Sequence, residues 1–322
     1  MVRPADTFSL VADIGGTNTR VALAEDGRLL TETIRRYRNA DAPGLETVLR
    51  AYIEEEDGVD CKGACVAVAG PVHDGRATLT NLDWTIDRDS VARATRAETV
   101  AVLNDLQAQG HALGMIDAAN LRTVISGPEG PHGATRLVIG VGTGFNASPV
   151  HVTAGGRLVP PSESGHANLP IRTEADLRLL RHVETIHGFP AVEDVLSGRG
   201  LERVYAWIGH EAGEPAEMSA AGIVSACDDG TDDRAVEAVR VFTRILGTVT
   251  GNLALVHLPF GGVYLVGGVA RHVSPFLDAF GFGEAFRDKG RFAGFMQNFA
   301  VTVIEDDYAA LSGAAAHLRE LF

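Results

Sequence analysis

Leu10-Val11-Ala12-Asp13-Ile14-Gly15-Gly16-Thr17-Asn18-Thr19-Arg20-Val21-Ala22-Leu23 is the stretch that decides the fold. An apolar run leads into Asp13, a glycine pair turns the backbone, and Arg20-Val21-Ala22-Leu23 predicts the returning strand. Glycines at such a turn let the backbone approach a ligand closely, and successive bare N–H groups form an anion-binding concavity. Asp13 at the strand end is placed to face a metal ion through water, while Thr17 and Thr19 can donate to phosphate oxygens. Gly15, Gly16, Thr17 and Asn18 are thus candidate phosphate ligands. Taken alone, the stretch is equally an ordinary hairpin with a Gly-Gly turn.

A second copy tips the balance. Arg136-Leu137-Val138-Ile139-Gly140-Val141-Gly142-Thr143-Gly144-Phe145 again runs from an apolar strand into Gly and Thr, with a returning strand expected at 148–152. Each copy closes on a similar run, Gly27-Arg28-Leu29-Leu30 and Gly156-Arg157-Leu158-Val159. Two phosphate hairpins in two halves resemble the duplicated actin-like ATPase fold, an α/β architecture of two ribonuclease H-like lobes with a cleft between them. Two such turns, Gly142-Thr143-Gly144 being the second, would hold a nucleotide triphosphate tail.

The bulk properties agree. A chain of 322 residues fits two domains, expected at 1–114 plus 305–322 and at 115–304. The net charge of −14 argues against a nucleic-acid partner, which needs a basic face. Three cysteines and no secretory segment predict a reducing cytoplasm. Cys61 and Cys65 lack a second pair at zinc-ligand spacing and are expected to be small buried hydrophobes. Residues 245–269 are uncharged and long enough to raise a membrane span. Asn252, His257, Pro259 and Gly261-Gly262 interrupt it, so a buried helix followed by a strand is expected, and no membrane association.

Along the first half, helical spacing after Asp41 and Pro43 places a helix over Leu45–Ile53. Ala64–Ala69 reads as a strand, and Asn81-Leu82-Asp83-Trp84 as a loop. Thr99–Leu103 is another apolar strand, delivering Asn104-Asp105 at its carboxyl end, where open α/β sheets bind ligands. A helix N-cap is the competing role for Asp105.

In the second half, Gly142-Thr143-Gly144-Phe145-Asn146-Ala147 nominally satisfies a dinucleotide fingerprint, but that motif requires a helix where this chain predicts a strand. Pro161-Ser162-Glu163-Ser164-Gly165-His166 sets a carboxylate and an imidazole three residues apart in a turn, without the third ligand a metal needs nearby. Thr173 caps a helix expected to bury Leu177, Leu180, Val183 and Ile186, with Gly188 as its stop. Glu193 precedes another helical segment. A long helix starts near Asp232-Asp233, and Gly267-Gly268 ends a strand, in a turn suited to a flat adenine ring. The last helix, near 308–321, carries Ala309, Ala310, Gly313 and Ala314 for close packing on the first sheet.

Taken in order, these segments are similar to bacterial glucokinases, hexokinase-like members of the actin-like ATPase superfamily. The resemblance rests on Asp13-Ile14-Gly15-Gly16-Thr17-Asn18, Asn104-Asp105, Gly142-Thr143-Gly144, Glu163-x-x-His166, Glu193 with Leu196-Ser197-Gly198, Asn252-Leu253-Ala254-Leu255 and Gly267-Gly268. It implies phosphoryl transfer from ATP to the 6-hydroxyl of glucose, with Mg2+ near Asp13, Asp105 as the base, and lobe closure excluding water. Asn104, Glu163, His166 and Glu193 would bind the other glucose hydroxyls. A homodimer and no structural zinc are also expected. In two places the chain departs from the family pattern: Asn146 stands where a glycine is usual, and Ser162 and Ser164 replace glycines around Glu163. Another hexose kinase is the nearest alternative. A sugar-responsive regulator would need a helix-turn-helix ahead of a first strand that here begins near Met1. Gly144→Val is expected to weaken ATP binding and leave sugar affinity largely intact.

Overall fold

A computed structural model describes residues 7–79 and 83–322; Asn81 and Leu82 of the expected loop lie outside them. The chain divides into two compact units, Met1–Asp117 with Val152–Pro161 and Asp306–Phe322, and Ala118–His151 with Ser162–Glu305.

In chain order the first unit opens with β1 (Phe8–Ile14), β2 (Asn18–Glu25), β3 (Arg28–Leu29), β4 (Arg35–Arg38) and α1 (Leu45–Glu55). There follow β5 (Cys61–Val68), the short strands β6 (Val72–His73), β7 (Arg76–Thr78) and β8 (Thr85–Asp87), α2 (Arg88–Thr95), β9 (Thr99–Asn104) and α3 (Asp105–Ala112). Its main sheet has the order β3-β2-β1-β5-β9, with β4 also on β2. β1, β5 and β9 run parallel, and β2 returns antiparallel on β1 with Asp13 opposite Arg20. Both faces of this sheet are covered, which is why its strands read as near-continuous apolar runs. Leu10, Ala12 and Ile14 point into a core with Leu49 and Tyr52 of α1 and Val91 of α2. Val11, Cys65 and Leu103 point the other way, onto the C-terminal helix. α1 starts at Gly44 with no side-chain cap, so Asp41 and Pro43 do not start it.

The second unit holds β10 (Leu121–Ile125), β11 (Arg136–Val141) and most of β12 (Phe145–Thr153), which runs into β13 (Gly156–Leu158) within the segment assigned to the first unit. Then come α4 (Glu174–His187), α5 (Gly198–Glu211), α6 (Ala220–Asp228), α7 (Asp233–His257), β14 (Val263–Val266), α8 (Gly268–Val273), α9 (Phe282–Arg287) and β15 (Val301–Ile304). Its sheet runs β10-β15-β14-β11-β12-β13. The returning strand begins at Phe145 rather than at 148, so the second glycine turn is only three residues long. Each hairpin is followed by a short strand, β3 or β13, entered through a glycine of positive φ, Gly27 or Gly156.

α4 corrects one expectation. Its buried face is Asp176, Leu179 and Val183, while Ile186 is exposed. Asp176 is buried because the Arg244 guanidinium pairs with it and the Arg172 and Thr173 N–H groups donate to it. α7 runs unbroken past Asn252; it is the one described helix long and apolar enough to cross a membrane, and 67% of its apolar window is buried within the protein. Phe242, Ile245 and Leu246 there are core residues, each such side chain contributing about 1.5–3 kcal/mol by burial.

α10 (Ala309–Leu321) returns to the first unit and packs on β1, β5 and above all α3. A Cβ on Gly313 would lie 1.7 Å from the Ala108 carbonyl oxygen, so only glycine permits this crossing. Residues 152–161 join the first unit through α10 and α3: the Glu320 carboxylate accepts the Arg157 N–H at 3.0 Å, and Gln107 of α3 donates to the Val159 carbonyl at 2.8 Å. Cys61, Cys65 and Cys227 are free and buried, and burial pushes the Cys61 thiol up to about 12.

Candidate active site

In the first unit the turn is Gly15-Gly16-Thr17, closed by the Gly15 N–H donating to the Asn18 carbonyl at 3.0 Å. Gly16 and Thr17 form its exposed tip. Asn39 braces it from behind: its amide donates to the Gly15 carbonyl at 2.8 Å, and its backbone N–H donates to the Thr17 carbonyl at 3.0 Å. Its side-chain oxygen accepts the Thr19 hydroxyl at 2.8 Å. Thr19 is fully buried and its proton is committed, so the expectation that it serves a phosphate is overturned. Asn39 was not foreseeable locally; it reaches the turn because β4 pairs with β2.

β1 and β9, with β5 between them, end together and bring Asp13 and Asp105 into one electrostatic neighbourhood. Burial raises the Asp13 carboxyl above its ordinary range, and Arg20, whose Nη1 is 3.4 Å away, opposes the shift. Burial and then the Asp13 charge push Asp105 up to about 6, against the Leu106 N–H that donates to its Oδ1 at 2.9 Å. Two carboxyls that each resist ionisation suit a cation between polyanion and protein.

Asp105 is not the N-cap. That role belongs to Asn104, which forms a capping box with Gln107: its Oδ1 accepts the Leu106 N–H at 3.0 Å, and its N–H donates to Gln107 Oε1 at 3.1 Å. Its amide also donates to the Gly70 carbonyl at 2.9 Å, leaving one N–H and one lone pair for a ligand. The carboxylate of Asp105 is thereby presented from the first helical residue, where it shares the Leu106 N–H with the Asn104 cap.

The second unit gathers the remaining candidates around β11 and β12. The Gly142 N–H donates to the Gly144 carbonyl at 2.9 Å, and the Gly142 carbonyl accepts the Gly198 N–H at 2.9 Å, tying the turn to the start of α5. A Cβ on Gly142 meets nothing within 4 Å, whereas one on Gly144 would sit 2.4 Å from the Glu193 carboxylate. Glu193 lies directly over the turn, its Oε2 accepting the Phe145 N–H at 2.8 Å. Its backbone N–H donates to the Gly165 carbonyl at 2.9 Å, and Gly165 itself presses on the Phe145 carbonyl, 2.0 Å from where a Cβ would be. Glu163 and His166 flank Gly165, their side chains exposed and 3.9 Å apart.

Gly267 leaves β14 at φ +101°, and a Cβ there would meet the Val141 carbonyl oxygen at 2.5 Å. Its role is to let α8 begin beside β11; Gly268 next to it faces open space. Thus Asp13, Gly15 to Asn18, Asn104 and Asp105 assemble in one unit. Gly142 to Gly144, Glu163, His166, Glu193, Gly267 and Gly268 assemble in the other.

Comparison with known proteins bears on the chain as a whole. The family model described as glucokinase matches residues 10–321. A glucokinase of Saccharophagus degradans is 33% identical over 316 residues, covering 97% of this chain and 98% of that protein. The crystal structure of a glucokinase from an Antarctic psychrotroph superposes with a TM-score of 0.86 at 30% identity, covering 97% of this chain and 98% of that one. A ROK family glucokinase from Streptomyces griseus, solved with glucose and AMPPNP, shares the fold at TM-score 0.65 and 22% identity, over 96% and 98% of the two chains. The architecture is accordingly the duplicated actin-like ATPase fold, two α/β lobes. Agreement this even, from the first hairpin through to the C-terminal helix, makes the chain a member of the glucokinase family.

Proposed function

We propose that this chain transfers the γ-phosphoryl group of ATP to the 6-hydroxyl of glucose, giving glucose 6-phosphate and ADP. The observation that carries the reading is Asp105, a carboxylate at the end of β9 whose affinity for protons is raised to about 6. A base must hold the hydroxyl proton while phosphoryl transfer proceeds, and it is most effective with a pKa near the working pH.

The other residues take roles that their surroundings support. The exposed N–H groups of Gly16 and Thr17, and those of Thr143 and Gly144 in the second turn, where the Gly142 N–H is already committed to the Gly144 carbonyl, receive phosphate oxygens. Glu163, His166 and Glu193, with the free valences of Asn104, receive sugar hydroxyls, a polyol needing several paired donors and acceptors. Gly268, which faces open space, leaves room for the nucleotide base, and Gly267 beside it lets α8 begin there. Asp13 fits Mg2+ through water, since among the described residues the Arg20 guanidinium is the one counter-charge to its buried carboxyl. The ion, when bound, spreads the developing phosphate charge. The names of the relatives and the glucose and AMPPNP bound to the Streptomyces griseus protein support the same substrates. The free buried cysteines support a reducing compartment.

A coupled assay of the purified chain against a panel of hexoses and phosphoryl donors tests the proposal. Glucose with ATP is expected to give the highest kcat/KM; a clear preference for another sugar or donor would overturn it.

A further inference from the structure

The two departures from the family pattern touch each other. Asn146, the second residue of β12, extends its amide into the Ser162-Glu163-Ser164 turn. Its Nδ2 donates to the Ser162 carbonyl, and its Oδ1 accepts both the Ser164 N–H at 3.1 Å and the Ser164 hydroxyl at 3.2 Å. The same Oδ1 takes the Ala147 N–H at 2.8 Å, which fixes the amide's orientation. One side chain therefore clamps the backbone on both sides of Glu163. Among the described residues the Glu163 side chain has no comparable support of its own: it is 58% exposed, with His166 at 3.9 Å.

We propose that Asn146 is a positioning residue for the sugar, holding the Glu163 carboxylate by fixing the peptide units before and after it. This rests on the proposed role of Glu163 as a hydroxyl ligand. The serines belong to the same device. Ser164 adds a hydroxyl donor that glycine lacks, and non-glycine residues at 162 and 164 narrow the conformations open to the turn. A carboxylate on a fixed backbone discriminates among hydroxyl arrangements, because a shift of about 1 Å in a positioning group costs up to about a hundredfold. Asn146 makes no side-chain bond to Gly142, Thr143 or Gly144 among the described contacts, so its effect belongs to the sugar and not the nucleotide.

A double-mutant cycle tests this, with thermal stability recorded for each variant. Asn146→Gly is expected to raise the glucose KM about tenfold, and to leave kcat and the ATP KM within about twofold. It should also narrow the preference for glucose over mannose. Glu163→Gln raises the glucose KM by itself, and adding Asn146→Gly to it should have little further effect, since the group being positioned has been blunted. If Asn146→Gly folds poorly, Asn146→Asp serves instead: it keeps the acceptor for Ser164, loses the donor to Ser162, and should show a smaller rise of the same kind. A rise from Glu163→Gln with none from either Asn146 variant overturns the positioning role alone, as does full additivity in the double mutant. An unchanged glucose KM in Glu163→Gln overturns the sugar-ligand role of Glu163, and this proposal with it.

Discussion

At the scale of single residues, Asp105 makes the sharpest demand. The carboxyl is raised from 3.8 to about 6, so it must lose its proton before it can accept one. kcat/KM is expected to fall about tenfold per pH unit below about pH 6, a limb that Asp105→Asn abolishes along with roughly two to four orders of magnitude in turnover. The stability consequence has the opposite sign. A carboxyl whose folded pKa lies above its unfolded value favours folding less once both states are ionised, so stability falls as pH rises from about 3.8 to about 6. Asp105→Asn removes that charge while Asn104 keeps the cap, and the variant is expected to melt higher than the parent at pH 7. A variant that is inactive and also destabilised at pH 7 would point to a structural role. The two glycines of the second turn also part company. Gly142→Ala has open space and should disturb ATP alone, whereas Gly144→Val drives into the Glu193 carboxylate and should weaken glucose and ATP together. The expectation that Gly144→Val spares the sugar is replaced by this one. Calorimetry on both variants, each ligand titrated separately, checks it.

At the scale of elements, α3 and α10 form a coupled pair. Gly313 lies against the Ala108 carbonyl, so Gly313→Ala forces backbone apart and should cost about 1–3 kcal/mol or more, read as a lower denaturant midpoint. Because α3 begins with Asp105, turnover should fall with it; a stable Gly313→Ala of full activity would show that the crossing has slack. The elements also mark what was legible from residues alone. Both hairpins and the strand leading to Asp105 announced themselves, because fully buried parallel strands are apolar throughout and end in glycine or polar residues. The long helix and the caps at Thr173 and Asp232 were equally local signals. The face of α4 was misjudged because the partner that makes Asp176 a buried residue, Arg244, lies 68 positions away. Asn39 and Asn146 were invisible as organisers for the same reason. Each acts on a turn brought to it by strand pairing or chain reversal, at separations of 24 and 16 to 18 residues.

At the scale of the whole molecule, charge sets the last requirement. The chain carries a net −14, and the two carboxyls nearest the first phosphate turn resist ionisation. A nucleotide triphosphate tail brings about four further negative charges to that neighbourhood, which amides alone offset poorly. Glucose is neutral and brings none. Ligand binding raises stability by RT ln(1 + [L]/Kd), about 2.7 kcal/mol at a hundredfold excess over Kd, so each substrate should leave its own upward shift in melting temperature. Removing divalent cations with EDTA is expected to abolish turnover and most of the ATP-induced shift, and to leave the glucose-induced shift intact. Asp13→Asn should require a higher Mg2+ concentration to restore half-maximal turnover, with the glucose shift again unchanged. An ATP shift that survives EDTA would mean that the turns and Arg20 suffice to hold the nucleotide, and Asp13 would then lose its place as the residue facing the metal.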